Sequence, residues 1–155
     1  MAGADQILPR VRTALRTRLV GLPWVVAAGT APVVAWEGVV WPPPDAPDWA
    51  RKPYLREQLK PNVHQTFGLG AAKPVRTSGL YLVDVFLPQA AAESLGLGDD
   101  ITGQVLVRFA ADTILVQDGT AVTVRKVYPS PPVLSPPWVQ RPVTVEWFAD
   151  AINAV

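Results

Sequence analysis

Thr77-Ser-Gly-Leu-Tyr-Leu-Val-Asp-Val-Phe-Leu-Pro88 is the longest clean strand signal in this chain. Leu80, Leu82, Val83, Val85, Phe86 and Leu87 make it almost wholly apolar. The run is too short for a globular helix and rich in β-branched and aromatic residues. It therefore reads as a central strand, covered on both faces or nearly so. Gly79 opens it and Pro88 closes it, as turn-forming residues do. Asp84 is the odd member, because it falls on the face of Leu80, Leu82 and Phe86. An unpaired carboxylate there is costly to bury.

Downstream of this strand, Ala90–Ala111 is predicted helical, with Gly96 and Gly98 interrupting it. Asp99 or Asp100 caps the second piece, in which Ile101, Val105, Leu106 and Phe109 share a face. Ile114–Val127 is predicted to be a hairpin, turning at Asp118-Gly119, a favoured two-residue turn of the primed type. That register sets Leu115 opposite Val122 and Thr113 opposite Val124, on the face that meets the helices. Residues 128–138 are broken by prolines and predicted to cross the surface. Val139–Phe148 is the last strand, with Val143, Val145 and Trp147 on one face. Pro142 confines its start to an edge or a strand beginning. Ala149–Val155 is read as a short tail with a possible turn of helix.

Upstream, Asp5–Leu22 forms an amphipathic helix with Asp5 as N-cap and Gly21 at C′. Ile7, Val11, Ala14, Leu15 and Leu19 form one apolar stripe. Arg10, Arg12 and Arg16 sit off it, as a solvated face or as a docking face for an acidic partner. Trp24–Ala28 is a strand or an extended lead-in. Val33–Trp41 is a second strand, with Gly38 as a bulge. Residues 42–49 form a stiff polyproline-like connection flanked by Trp41 and Trp49. Tyr54–Leu59 alternates Tyr54, Arg56 and Gln58 against Leu55, Glu57 and Leu59. Neither face is wholly apolar, which suits a strand near an edge. Residues 60–76 lack any period and are read as a long loop, functional or mobile. It is basic through Lys60, Lys73 and Arg76. Its Phe67 and Leu69 are either tucked beneath it or held out for a neighbouring subunit.

The 155 residues suit one domain, 1–155, with a core able to fold without staples. The fold class is α/β (α+β), with a mixed, mainly antiparallel sheet of about four to six strands. The N-terminal helix and a second helix pack on it. No cysteine is present, so disulfides and cysteine zinc sites are excluded. A net charge of +1 does not imply a strong nucleic-acid field. No apolar run reaches the roughly 20 residues that span a bilayer, and the chain reads as cytoplasmic, without an export signal. The composition stands out in its 17 prolines and 6 tryptophans, which cut the chain into extended connections and limit helix to a few windows.

No catalytic constellation emerges. His64 has no nearby acid or nucleophile, and nothing marks Ser78, Ser94, Ser130 or Ser135 as activated. Gly68-Leu69-Gly70 lacks the third glycine and the Gly-Lys-Ser/Thr ending of a phosphate loop. Asp99-Asp100 and Asp45/Asp48 are acidic pairs, but hard-cation sites need several converging oxygens. No cofactor is called for, and neither catalytic nor metal-ligating residues are assigned. Tryptophans beside prolines, with few charges, suit lasting protein contacts better than turnover.

The strand at 78–88 resembles the "tGlYqvdvf-P" strand of a family of tailed-phage proteins related to the lambda tail terminator. Other pieces match in the same order. They are the N-terminal helix, Val34-Ala-Trp-Glu-Gly-Val-Val-Trp-Pro-Pro43, Pro53-Tyr-Leu-Arg56 with Leu59, and Arg141-Pro-Val-Thr-Val-Glu-Trp-Phe148. The resemblance implies a small α/β subunit, without catalytic residues, that assembles as a homohexameric ring at the head-proximal end of the tail tube. It implies that the ring stops tube polymerisation, offers a surface for joining the head, and meets both the tube protein and a head–tail connector or neck protein. DNA would pass through the lumen as cargo only, and no membrane is involved. The protein would reside in the virion tail, and in the host cytoplasm during assembly. The chain departs from the pattern in its proline-rich 128–138 connection and glycine-interrupted helix. A neck or minor tail component is therefore an alternative.

A ring uses two different patches on each subunit. Trp41, Trp49, Trp138 and the 60–76 loop, with His64, Phe67, Leu69, Lys73 and Arg76, are the candidates for those patches. Asp84 joins them if it is exposed at a subunit boundary; otherwise it should pair with Arg56 or Arg108. A small enzyme or ligand-binding module and a nucleic-acid binder using the N-terminal arginines are the competing classes. The first would need a polar pocket with perturbed groups, the second an extended basic surface.

Overall fold

A computed structural model of the chain describes residues 6–26, 31–41, 52–66, 73–89 and 94–153. Its helices are α1 (Ile7–Val20) and α2 (Ser94–Arg108). Its strands are β1 (Val33–Ala35), β2 (Tyr54–Thr66), β3 (Lys73–Pro88), β4 (Ile114–Gln117), β5 (Thr120–Pro129), β6 (Val133–Ser135), β7 (Trp138–Arg141) and β8 (Val143–Asn153). The class is α+β, with both helices on one face of a mixed eight-stranded sheet. The order is β1-β2-β3-β8-β5-β4, with β7 paired to β3 and β6 to β7. All pairings are antiparallel except β1 with β2. The strand count exceeds four to six because proline-rich stretches read as connections also form strands.

The apolar run at 77–88 lies in the middle of the sheet. β2 lies along one edge of β3 from Val75 to Phe86. On the other edge β8 covers Lys73–Leu82 and β7 covers Val85–Pro88. One register carries from β7 into β8 through Pro142, which falls across from Asp84. The ladder is interrupted where proline has no N–H to give. Tyr81, Val83, Val85 and Leu87 point to the helices and are fully buried. The outer face is less covered than expected, since Leu80 and Leu82 are half-exposed.

The α1 stripe of Ile7, Val11, Ala14, Leu15 and Leu19 is buried throughout. Burying each large apolar side chain stabilises by roughly 1.5–3 kcal/mol, enough to hold a helix with few apolar residues elsewhere. Asp5 lies outside the described residues, and Gln6 stands at the N-cap, where its side chain makes no capping hydrogen bond to the helix. Gly21 ends the helix at φ −75, not in the left-handed region expected of C′. Its lack of a side chain serves space instead, because a Cβ there would sit 2.8 Å from Arg108 Nη2.

Four further expectations are corrected. Residues 60–76 are not one long loop. Lys60–Thr66 and Lys73–Arg76 are the arms of the β2–β3 hairpin, and only 67–72 lies outside the described residues. Their polar sequence hides the strands because every side chain from Lys60 to Thr66 is exposed. The 33–41 segment keeps three strand residues, then turns, with Val39 N–H donating to the Trp36 carbonyl and Gly38 at φ +82 rather than in a bulge. Of Trp24–Ala28, the described residues 24–26 form no strand, which leaves the reading as a lead-in. Residues 128–138 and 149–153 are largely strand as well. Tyr128 and Pro129 end β5, Val133–Ser135 pairs with β7, and β8 runs on to Asn153.

α2 runs unbroken through Gly96 and Gly98. Gly98 sits where the helix closes on the sheet. A Cβ there would lie 2.6 Å from Leu87 Cδ1 and 2.9 Å from Arg141 Nε. Ile101, Val105 and Phe109 are fully buried, as their spacing predicts. The hairpin also matches. Leu115 pairs with Val122, Val124 N–H donates to the Thr113 carbonyl, and Asp118 and Gly119 turn at φ 48 and 80.

Candidate assembly surfaces

The face of the sheet away from the helices carries its own aromatic cluster. Tyr54 and Phe86 are register partners, and their rings stack at 4.7 Å with planes 2° apart. Trp138, opening β7, meets Tyr54 edge-on at 5.0 Å, and Trp41 leans on Tyr54 at 4.9 Å. Ala35 completes the group. Stacked and edge-on geometries follow the ring quadrupole and add to burial. Val39 and Val40, just before Trp41, are exposed, as is Leu134 on β6.

Asp84 stands beside this cluster and is buried. Gln140 Nε2 donates to its Oδ2 at 3.0 Å, and Arg56 Nη2 approaches the same oxygen at 3.4 Å. The guanidinium of Arg56 also lies over the Phe86 ring, 4.9 Å from its centre. Arg56, not Arg108, is thus the partner of Asp84. Burial pushes the Asp84 carboxyl above its ordinary range, and Arg56 and Gln140 only partly offset it. Arg108 is engaged elsewhere: its Nε donates to the Arg18 carbonyl, and Arg18 Nε to the Arg108 carbonyl, each at 2.9 Å. Each arginine caps the other's helix end, where a cation is favourable.

The second surface is the arm formed by the outer parts of β2, β3 and β8. His64 is exposed there, with Nδ1 2.8 Å from the Thr77 hydroxyl. Arg76 binds Asp150 through two bonds, Nε to Oδ1 at 2.7 Å and Nη2 to Oδ2 at 2.8 Å. That fork holds the Asp150 carboxyl below its ordinary range. Arg76 also covers the Phe148 ring at 4.3 Å. Lys73 begins β3 on the same arm.

The arginines of α1 face the sheet and its loops. Arg10 Nη1 donates to the Asp118 carbonyl at 2.8 Å. Arg12 meets Glu37 Oε2 at 2.6 Å. Arg16 reaches Glu57 Oε1 through Nε at 3.0 Å and Nη2 at 2.5 Å. Glu57 is buried and also accepts from the Glu37 N–H at 2.9 Å. Burial raises the Glu37 carboxyl, but the bonds from Arg12 and from the Leu59 N–H outweigh it and leave it below the usual range. Burial and the Glu57 carboxylate beside it push the Tyr81 hydroxyl well up.

The candidate residues therefore separate. Trp41, Trp138 and Asp84 come together on the outer face, while His64, Lys73 and Arg76 share the arm. Arg10, Arg12 and Arg16 tie α1 to the rest of the chain. Trp49, Phe67 and Leu69 lie outside the described residues. Sequence reading missed Tyr54, Phe86 and Gln140 as members of the outer site. It also missed Glu57 as a buried ion-pair partner, although Glu57 alternates in phase with Leu55 and Leu59.

A family model described as phage tail terminator protein matches residues 10–147. Among solved structures, one superposes with a TM-score of 0.66 at 20% sequence identity, covering 92% of this chain and 94% of that one, a likeness of fold. No curated protein sequence matches.

Proposed function

Because the chain belongs to the phage tail terminator protein family, we propose that it caps the head-proximal end of a tail tube, stops tube polymerisation and provides the surface for joining the head. The chain has a structural role in a phage tail, and the family match over residues 10–147 carries the finer reading. Copies of the chain assemble as a ring, a homohexamer by the family resemblance, with the tube protein on one side and a connector or neck protein on the other. DNA passes through the lumen as cargo. The protein works in the virion tail after assembly in the host cytoplasm, and it acts by contact rather than by catalysis.

The surfaces support this reading. Trp41 and Trp138 supply aromatic anchors of the kind that dominate interface energy, and Val39, Val40 and Leu134 are exposed close to them in sequence. Asp84, His64 and Arg76 place polar groups near the two surfaces, and Lys73 begins β3 beside the second. The test is to locate the protein on tails not yet joined to heads, using a tag and gold-labelled antibody in electron microscopy. Label at the head-proximal tip alone supports the cap. Label along the tube or at the distal tip marks a minor tail component, and label on heads alone marks a connector.

A further inference from the structure

Arg18 and Arg108 stand side by side near the ends of α1 and α2, each giving its Nε–H to the other's carbonyl at 2.9 Å. Neither has a carboxylate partner among the described residues. Burial first, and then the Arg18 charge, hold the Arg108 guanidinium below its ordinary range. The carbonyl ends of the helices offset part of the positive charge. They occupy only one N–H of each guanidinium, which carries several.

Both arginines line a groove of about 710 Å³ on the helix side of the molecule. One wall is Leu22, Pro23 and Val25, and the other is α2 as far back as Asp99 and Asp100. Gln104 clamps the walls together. Its Oε1 accepts the Val25 N–H at 2.8 Å, and its Nε2 donates to the Val25 carbonyl at 3.0 Å. Residues 22–25 form neither helix nor strand, so this clamp is what fixes them against α2. Val25 and Val107 are nevertheless exposed. At the far end Asp99 is held by Arg141, whereas Asp100 has no partner among the described residues. Asp100 and Arg108 lie about 12 Å apart along α2, at the helical rise per residue.

We propose that this groove docks a segment of a partner protein that carries a carboxylate at one end, apolar side chains in the middle and a cation at the other end. The carboxylate seats on Arg18 and Arg108, the apolar side chains cover Val25 and Val107, and the cation meets Asp100. Charge complementarity selects this occupant. A free anion would use the arginines and leave both valines in water. A wholly apolar segment would cover two guanidiniums without supplying a counter-charge, which is costly. Walls already clamped lose little freedom on binding. The surface lies across the sheet from the outer aromatic cluster, so the inference adds a contact to the cap reading and does not depend on it.

Two blocked peptides test it on purified protein. One is acetyl-Lys-Leu-Val-Leu-Glu-amide, whose charged residues lie about 13 Å apart when extended. The other ends in Gln. The Nε–H signals of Arg18 and Arg108 are followed by NMR. The Glu peptide should move both signals to saturation, and the Gln peptide should bind roughly tenfold more weakly. Arg18→Gln should weaken the Glu peptide similarly. Val107→Asp should do the same at an exposed position that folding does not use, which separates docking from any loss of the helix caps. Equal affinity for the two peptides, or no movement with either, overturns the proposal. Inorganic phosphate that moves the signals at concentrations where the Glu peptide does not would leave a free-anion site only and also overturns it. Concentration-dependent dimers in light scattering that Val107→Asp abolishes would make a second copy the occupant, and would overturn the foreign partner.

Discussion

Arg16 on α1 places its guanidinium on Glu57, a carboxylate whose side chain is 0% exposed while that of Arg16 is 30% exposed. The pair joins α1 to β2, the strand next to β3. Glu37 completes the arrangement, with its N–H on Glu57 and its carboxylate shared between Arg12 and the Leu59 N–H.

Removing Arg16 alone should therefore be costly. Arg16→Leu leaves a buried carboxylate with one donor and is expected to destabilise by about 3–5 kcal/mol. Arg16→Leu combined with Glu57→Gln should recover much of that loss. Urea unfolding of the two variants and the wild type measures it. A double variant no more stable than Arg16→Leu would show that the uncompensated charge is not the cause.

Glu37 and Asp84 should give pH effects of opposite sign. The folded state holds Glu37 below its ordinary value, so its contribution is present above that value and is lost as pH falls through the folded one. Glu37→Gln should flatten the acid limb of stability. Asp84 is held above its ordinary value, so its ionised form is penalised once pH rises through the folded value. Asp84→Asn should gain on the wild type as pH climbs through the carboxylate range. Unfolding midpoints between acid and neutral pH check both signs.

Glycines in α2 should divide by position. Gly98→Ala forces a Cβ against Leu87 and Arg141 and is expected to cost about 1–3 kcal/mol, as overpacking does. Gly96→Ala and Gly103→Ala meet nothing within 4 Å. Each should gain up to about 1 kcal/mol from helix propensity. Gly79→Ala should be worse than any of these, because its Cβ would lie 2.4 Å from the Lys60 carbonyl oxygen, a backbone atom that cannot swing aside. Thermal unfolding of the four single variants orders them.

The exposed rim should separate folding from assembly. Val40 is 79% exposed, so Val40→Lys is expected to leave stability within about 0.5 kcal/mol of the wild type. If the outer face meets a partner, the same change should lower the yield of infectious particles when the variant gene replaces the natural one. Unchanged yield would remove this rim from the contact.

These relationships also show what the sequence makes legible. The apolar run at 80–87, the α1 stripe and the Asp118-Gly119 turn report burial or a required backbone angle directly, and each stands as read except that Leu80 and Leu82 on the outer face of the run are only partly covered. The β2–β3 arm does not, because Lys60–Thr66 is exposed on both faces and leaves no alternation to detect. α2 is obscured for a different reason: Gly98 looks like a breaker but is the contact that lets the helix approach Leu87. At the outer site, Trp41 and Trp138 are conspicuous, whereas Tyr54 and Phe86 come together only through the pairing register of β2 with β3. The pairing of Asp84 with Arg56 follows from that same register.

The central claim is that this chain ends tube growth, and tail length in a phage lacking its gene tests it most directly. Electron microscopy of such lysates should show overlong tails without heads, restored to one set length when the chain is supplied in trans. Headless tails of normal length in the absence of the chain would contradict termination.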